Sequence, residues 1–242
     1  MPRSQSRREF GHSKEFDLKN GSNATALVTR DHGVTLVGGG DLPPGDLELA
    51  LALAPGLVGV DGGAAAALKA GRMPDAVIGD FDSIDDETTA RIAPERLHKI
   101  AEQDSTDFDK ALRHVAAPIL IAVGFGGARV DHELAAYHSL VRWPDRRCVM
   151  LAGSDLVFAA PPGITLDLPP GTRVSLFPMS AVRGRSEGLR WPIKGLDFHP
   201  ATRIGTSNEA VAPRQVLAFD GPGMLVILPR SALDRVAAAL RG

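Results

Sequence analysis

The sequence predicts an α/β protein in which a parallel-sheet domain with helices on both faces is followed by a β-rich domain. Three observations carry this. From Val34 onward, short continuous apolar runs alternate with helix-like stretches, the arrangement of parallel strands joined by crossover helices. After about residue 160 the texture changes to short alternating segments punctuated by Pro and Gly, as in antiparallel sheets. Pro161, Pro162 and Gly163 stand at the change and would break either kind of element.

The expected strands of the first domain cover residues 34–37, 57–60, 76–78, 97–100, 119–123 and 148–151, most of them apolar runs of the kind found in sheets buried on both faces. Between them, residues 47–54, 64–70, 86–92, 106–116 and 131–141 read as helices. In the second domain, residues 172–177, 215–219 and 224–228 read as strands, and residues 230–241 as a closing helix with Ser231 as its cap. The expected domains are therefore a flexible tail over residues 1–30, an α/β domain over 31–160 and a β domain over 161–242.

Composition narrows the function classes. The 27 basic and 29 acidic residues nearly cancel, which leaves no global field to gather nucleic acid or an anionic membrane. Any anion site must be local. Cys148 is the only cysteine, so neither an intrachain disulfide nor a multi-thiolate metal site can form, and a reducing cytoplasm fits. No apolar run reaches the roughly eighteen residues of a membrane span, and the polar start MPRSQSRREFGHSKEF has no signal core.

Chemistry concentrates in clusters that each follow a predicted strand. In IGDFDSI, Asp80 and Asp82 are two positions apart, and in extended chain such residues point the same way. Paired carboxylates of this kind suit Mg²⁺, which takes a few oxygen ligands and bridges to phosphate. Taken alone, the motif fits an Asx-turn opening a helix equally well. In QDSTDFDKAL, Asp104 or Ser105 can cap a helix whose first turn carries Thr106 and Asp107, with Lys110 one turn on and Gln103 before it. A helix N-terminus with a lysine beside it favours phosphate, although a plain cap with a surface ion pair explains the same letters. In AVGFGGARVDHELAAYHSL, three glycines precede Arg129, whose guanidinium can fork phosphate oxygens, and Asp131 at a helix start. His132 there reads as a packed or surface residue. In VDGGAAAAL, Asp61 and Gly62 follow another strand, and Gly38 to Gly40 lack the dinucleotide fingerprint. Recurrence is what matters, because the carboxyl ends of parallel strands line one crevice.

In order, DGG, PDAVIGDFDSI, QDSTDFDKAL, GGARVDH and GTSNEAV resemble the thiamin pyrophosphokinase family from about Val34 to Arg230. The resemblance implies an α/β domain followed by an antiparallel β-sandwich, in a homodimer whose active sites lie between subunits. It implies transfer of pyrophosphate from ATP to thiamin, giving thiamin diphosphate and AMP. Carried over by motif, Asp80, Asp82 and Asp107 become ligands of Mg²⁺, with Asp61, Gly62 and Asp131 around the same metal-phosphate cluster. Gln103, Thr106, Lys110 and Arg129 become triphosphate contacts. Trp191, Thr206, Ser207 and Asn208 resemble the thiamin-recognition segment, where an aromatic face and directional hydrogen bonds suit a cationic thiazolium and a flat aminopyrimidine. Ala65, Ala128 and Ala136 stand where the family often has Asn, Gly and Asn. Two other readings share these letters: a pyrophosphokinase for another hydroxymethyl heterocycle such as a pterin, and a non-catalytic thiamin or nucleotide sensor.

Overall fold

A computed structural model describes residues 25–127 and 129–242, so most of the expected N-terminal tail and Ala128 lie outside the described residues. The first strand, β1 (Val28–Thr29), pairs in parallel with β6 (Val115–Ala116). The main sheet is built from β2 (Val34–Val37), β3 (Gly56–Val60), β4 (Ala76–Gly79), β5 (Leu97–Lys99), β7 (Leu120–Val123) and β8 (Cys148–Ala152). Every residue of β2, β3, β4 and β7 is buried, as continuous apolar strands covered on both faces require. The covering helices are α1 (Asp46–Leu53), α2 (Gly63–Lys69), α3 (Asp86–Ala90), α4 (Asp107–His114) and α5 (Val130–Arg142).

Strand order makes the site. The strands β3, β4 and β5 follow one another outward in parallel, and β3 joins β2 where Gly56 N–H donates to the Gly33 carbonyl at 3.0 Å. The chain then returns to the other side of β2 to lay down β7 and β8. The order reverses between β2 and β7, and at such a switch point the flanking loops diverge and open a crevice at the carboxyl ends. Close packing completes the floor: a side chain on Gly63, the first residue of α2, would sit 1.8 Å from the Val37 carbonyl oxygen.

At β8 the sheet changes character without ending. A turn at Gly153, with φ +60°, sends the chain back as β9 (Asp155–Ala159), antiparallel to β8. Sequence reading missed this strand. The same sheet continues through β16 (Met224–Pro229), β11 (Arg173–Pro178) and β14 (Gly205–Glu209). A second antiparallel sheet runs in the order β10 (Gly163–Leu166), β15 (Gln215–Phe219), β12 (Val182–Glu187) and β13 (Asp197–Phe198). Val174, Leu176, Leu217, Phe219 and Val226, from both sheets, share one buried cluster, which is the sandwich. The prolines at 161 and 162 mark where the chain leaves the shared sheet, while the sheet itself crosses that point.

Two helix ends differ from expectation. The helix expected over residues 106–116 stops at His114, because buried Val115 leaves to pair with Val28. Ser231 caps nothing: Arg230–Ala232 form a 3₁₀ turn and α6 (Leu233–Arg241) starts from Ala232 without a side-chain cap. Docking sets that start instead, since Leu233, Val236, Ala237 and Leu240 are buried and Arg230 is drawn into an ion pair with the buried Asp46.

Phe158 lies fully buried in β9, the strand that joins the parallel and antiparallel parts of the sheet. Phe158→Ala is expected to cost about 3–5 kcal/mol, as truncation of a large core aromatic does, read as a lower midpoint in urea unfolding.

Candidate functional site

The switch-point crevice is a cleft of about 690 Å³. Gly38 to Gly40 after β2, Asp61 and Gly62 after β3, Asp80, Asp82 and Ser83 after β4, Gln103 and Ser105 to Phe108 at α4, and Gly124 to Gly126 after β7 surround it. One oxygen from each of Asp61, Asp80 and Asp82 lies within 4.8 Å of the other two. The sequence offered an extended strand as the reason for the last two to converge, and the structure supplies a different one. Phe81 adopts a left-handed backbone with φ +65°, so Asp80 and Asp82 sit on a tight turn in which Asp82 N–H donates to Asp80 Oδ1 at 3.2 Å. For a bulky side chain that conformation costs about 1–3 kcal/mol. It is held by the Phe81 N–H, which donates to Asp61 Oδ1 at 3.1 Å.

Lys110 underlies the cluster. Its side chain is 1% exposed, and Nζ donates to Asp80 Oδ2 at 3.0 Å and Asp107 Oδ1 at 2.9 Å. Asp107 Oδ1 also accepts from the Asp80 N–H at 3.3 Å, so Asp107 is tied to the lysine while Asp61 completes the compact trio. Gln103 Nε2 reaches the same Asp80 Oδ2 at 3.2 Å. The cap of α4 is Thr106, whose Oγ1 accepts from Asp109 N–H at 3.3 Å, rather than Asp104 or Ser105. Ser105 instead donates to Glu102, which also accepts from Arg113 at 2.7 Å and so holds the loop against α4.

Proton affinities follow from these contacts. Burial is the largest influence on Asp61 and raises its pKa; a hydrogen bond from Ser83 opposes this, and the charges of Asp107 and Asp80 reinforce it. Burial also acts to raise Asp80, but hydrogen bonds from Lys110 and the Asp82 backbone outweigh it and hold the carboxyl below its usual range. For Lys110 burial acts to lower the pKa, and the two carboxylates overcome it to raise the value.

Arg129 and His132 line the cleft from the far side. Arg129 forms a fork with Asp131 at 2.6 and 3.1 Å, both exposed, and Asp131 does not line the cleft. His132 is exposed, in line with its reading as a surface residue, and its surface position is in the cleft wall. Ser83, Phe108 and Phe125 also contribute, the two rings 4.2 Å apart. Their only signal in the sequence is adjacency to the acidic and glycine motifs.

The β-domain candidates lie elsewhere: none of Trp191, Thr206, Ser207 and Asn208 lines this cleft. Asn208 is buried and spends its amide on the Trp191 backbone, donating to the carbonyl at 2.7 Å and accepting from the N–H at 3.2 Å. The Trp191 ring is left 56% exposed with Arg190 5.7 Å from its centroid. Thr206 and Ser207 are exposed. Among the described residues no helix is long and apolar enough to cross a membrane.

A carboxylate trio and a buried lysine at the switch point of an α/β sheet, with a sandwich extending that sheet, define the class: an α/β protein with an acidic crevice at the carboxyl ends of its strands. Comparison with known proteins shows what this arrangement is similar to. Residues 47–151 match the family described as thiamin pyrophosphokinase, catalytic domain. Thiamine pyrophosphokinase 1 of Arabidopsis thaliana is 26% identical over 163 residues, 60% of this chain and 61% of that protein. Thiamine pyrophosphokinase of Bacillus subtilis is 28% identical over 183 residues, 71% and 85% of the two chains. The crystal structure of thiamin pyrophosphokinase from Geobacillus thermodenitrificans superposes with a TM-score of 0.65 at 25% identity, covering 81% of this chain and 96% of that one. The Candida albicans structure, at 14% identity and a TM-score of 0.68 over 85% and 93%, shares the fold. The chain is thus similar to thiamin pyrophosphokinases in sequence and fold, and its match spans about three fifths of the length of the plant relative.

The raised pKa of Asp61 predicts a pH-dependent response to cations. A carboxyl whose folded pKa is raised opposes stability increasingly as pH climbs through that value, and a cation bound to the ionised trio offsets the loss. Thermal melts at neutral pH should therefore shift upward with millimolar MgCl₂, and the increment should shrink as pH falls through the carboxylate range. Asp61→Asn should shrink it at neutral pH too. An identical midpoint with and without MgCl₂ at neutral pH would count against the site.

Proposed function

We propose that this protein is a thiamin pyrophosphokinase, transferring pyrophosphate from ATP to the hydroxyl of thiamin to give thiamin diphosphate and AMP. The observation that carries the reading is the convergence of Asp61, Asp80 and Asp82 within 4.8 Å at the switch point, directly over the buried Lys110. The donor set fits Mg²⁺: three hard carboxylate oxygens on loops, with open cleft beside them. When bound there, the ion would supply charge neutralisation for a polyphosphate.

The residues of this chain divide the remaining work. Asp80 and Asp82 would hold the ion together with Asp61, and Asp107 would support it through Lys110 and the Asp80 backbone. Lys110 keeps Asp80 ionised and oriented, and adds a fixed positive charge under the cleft. Gln103 steadies the same oxygen. Arg129 is exposed and can exchange Asp131 for phosphate oxygens, which it would fork in the same planar geometry. Thr106 fixes the start of α4, and Gly62 keeps the wall beside Asp61 low. Transfer of this type needs mainly positioning and charge neutralisation, with in-line attack of the alcohol on the β-phosphorus.

The separation of the Trp191, Thr206, Ser207 and Asn208 segment from the cleft supports a homodimer. In it the sandwich of one copy would present these residues to the cleft of the other, with Trp191 as the aromatic face and Asn208 holding its loop. The cytoplasm is the proposed location, consistent with one buried, free thiol.

The decisive assay is incubation with ATP, Mg²⁺ and either thiamin or a hydroxymethylpterin, followed by measurement of AMP. AMP release is expected with thiamin only; release with the pterin only would reassign the substrate, and release with neither would leave a binding protein. Asp80→Asn and Asp82→Asn are each expected to lower turnover at least about a hundredfold while the far-ultraviolet circular dichroism stays that of the wild type. Near-normal AMP formation by either variant would overturn the metal assignment.

A further inference from the structure

The helix α5 begins without a conventional cap. Its N-cap residue is Arg129, which makes no side-chain capping bond, whereas Ser, Thr, Asp or Asn is usual at such a position. The arginine that faces the cleft is thus free of any capping task, and something else must fix the turn that leads into it. Glu133 does so. In a helix, side chains lean toward the N-terminus, and residues four apart share a face, so Glu133 reaches back past the first turn. Its Oε2 accepts from the Gly127 N–H at 3.2 Å, and Gly126 lies close above its carboxyl group. The other oxygen, Oε1, accepts from the Tyr137 hydroxyl at 2.5 Å. Tyr137 is half-buried against the sheet core, one further turn along the same face. Burial, then the hydrogen bond to Glu133, pushes its phenol pKa up, which keeps it a donor.

The turn needs such a clamp. Gly127 has φ +86°, and a side chain there would meet Asp41 Oδ2 at 2.6 Å, so the segment is fitted between Asp41 on one side and Glu133 on the other. Gly40 N–H donates to the Gly124 carbonyl at 2.8 Å and Asp41 N–H to the Gly126 carbonyl at 3.3 Å, closing the remaining edge.

We infer that Glu133, backed by Tyr137, is a positioning residue that fixes the glycine turn and hence the placement of Arg129 for the polyphosphate of ATP. The inference rests on the function proposed above. Neither residue need touch substrate; the acceptor bridge from Tyr137 to Gly127 is what counts, because a group that binds an anion acts through where it is held.

AMP release at varied ATP separates this role from a structural one. Glu133→Ala is expected to raise KM for ATP about tenfold, the worth of roughly one net hydrogen bond, and to leave kcat within about threefold. Glu133→Gln should return KM to within about threefold of wild type, since its amide oxygen can accept from Gly127 and its NH₂ can donate to the Tyr137 oxygen. Tyr137→Phe should fall between, and serves as the test if Glu133→Ala does not fold. A wild-type KM in Glu133→Ala, or a Gln variant as impaired as Ala, would overturn the inference. A wild-type protein that neither binds ATP nor releases AMP would instead overturn the enclosing function.

Discussion

The buried ammonium of Lys110 is the contact on which the site depends. It is almost wholly removed from water, and an unpaired charge in such a place is very costly. Two carboxylates therefore have to come to it, and they come from different elements: Asp107 from the first turn of the lysine's own helix, and Asp80 from the end of β4. Once Asp80 is fixed, its neighbours follow. Gln103 bonds to it, Asp82 closes a tight turn on it, and Phe81 is held in a strained backbone by Asp61. One buried ion thus sets the distances among three acidic side chains that would otherwise repel each other.

The same arrangement explains why the acids remain poised rather than neutralised. Lys110 satisfies Asp80 and Asp107 but not Asp61, whose proton affinity is raised by burial and by its ionised neighbours. The trio carries more negative charge than the lysine balances, and it faces open cleft rather than protein. Carboxylate oxygens gathered this closely and facing open cleft are the donor type that a divalent cation takes.

The sheet that carries this site also carries the sandwich. Because β9 turns back beside β8, the antiparallel strands β16, β11 and β14 extend the parallel sheet instead of forming a separate body. Its exposed Trp191 and Ser207 are not among the residues that line the cleft of the same chain.

Much of this was legible in the letters. Unbroken apolar runs specify buried parallel strands, so β2, β3, β4, β7 and β8 fell where Val, Ile and Leu cluster, and the acidic motifs were visible because each follows such a run. Strand β9 escaped because a hairpin partner reads like any short apolar run until its pairing is known. The cap of α4, the turn at Phe81, the wall position of His132 and the bridge through Glu133 escaped for a related reason: each depends on a neighbour distant in sequence or on one backbone angle. The sequence by itself determined the elements, the absence of disulfide chemistry and the residue types able to hold a cation and an anion, because periodicity and side-chain chemistry are local properties. Only the tertiary structure decided which acids meet, which one Lys110 engages and which face Trp191 occupies, because those follow from strand order and from the energy of burying one charge among its partners.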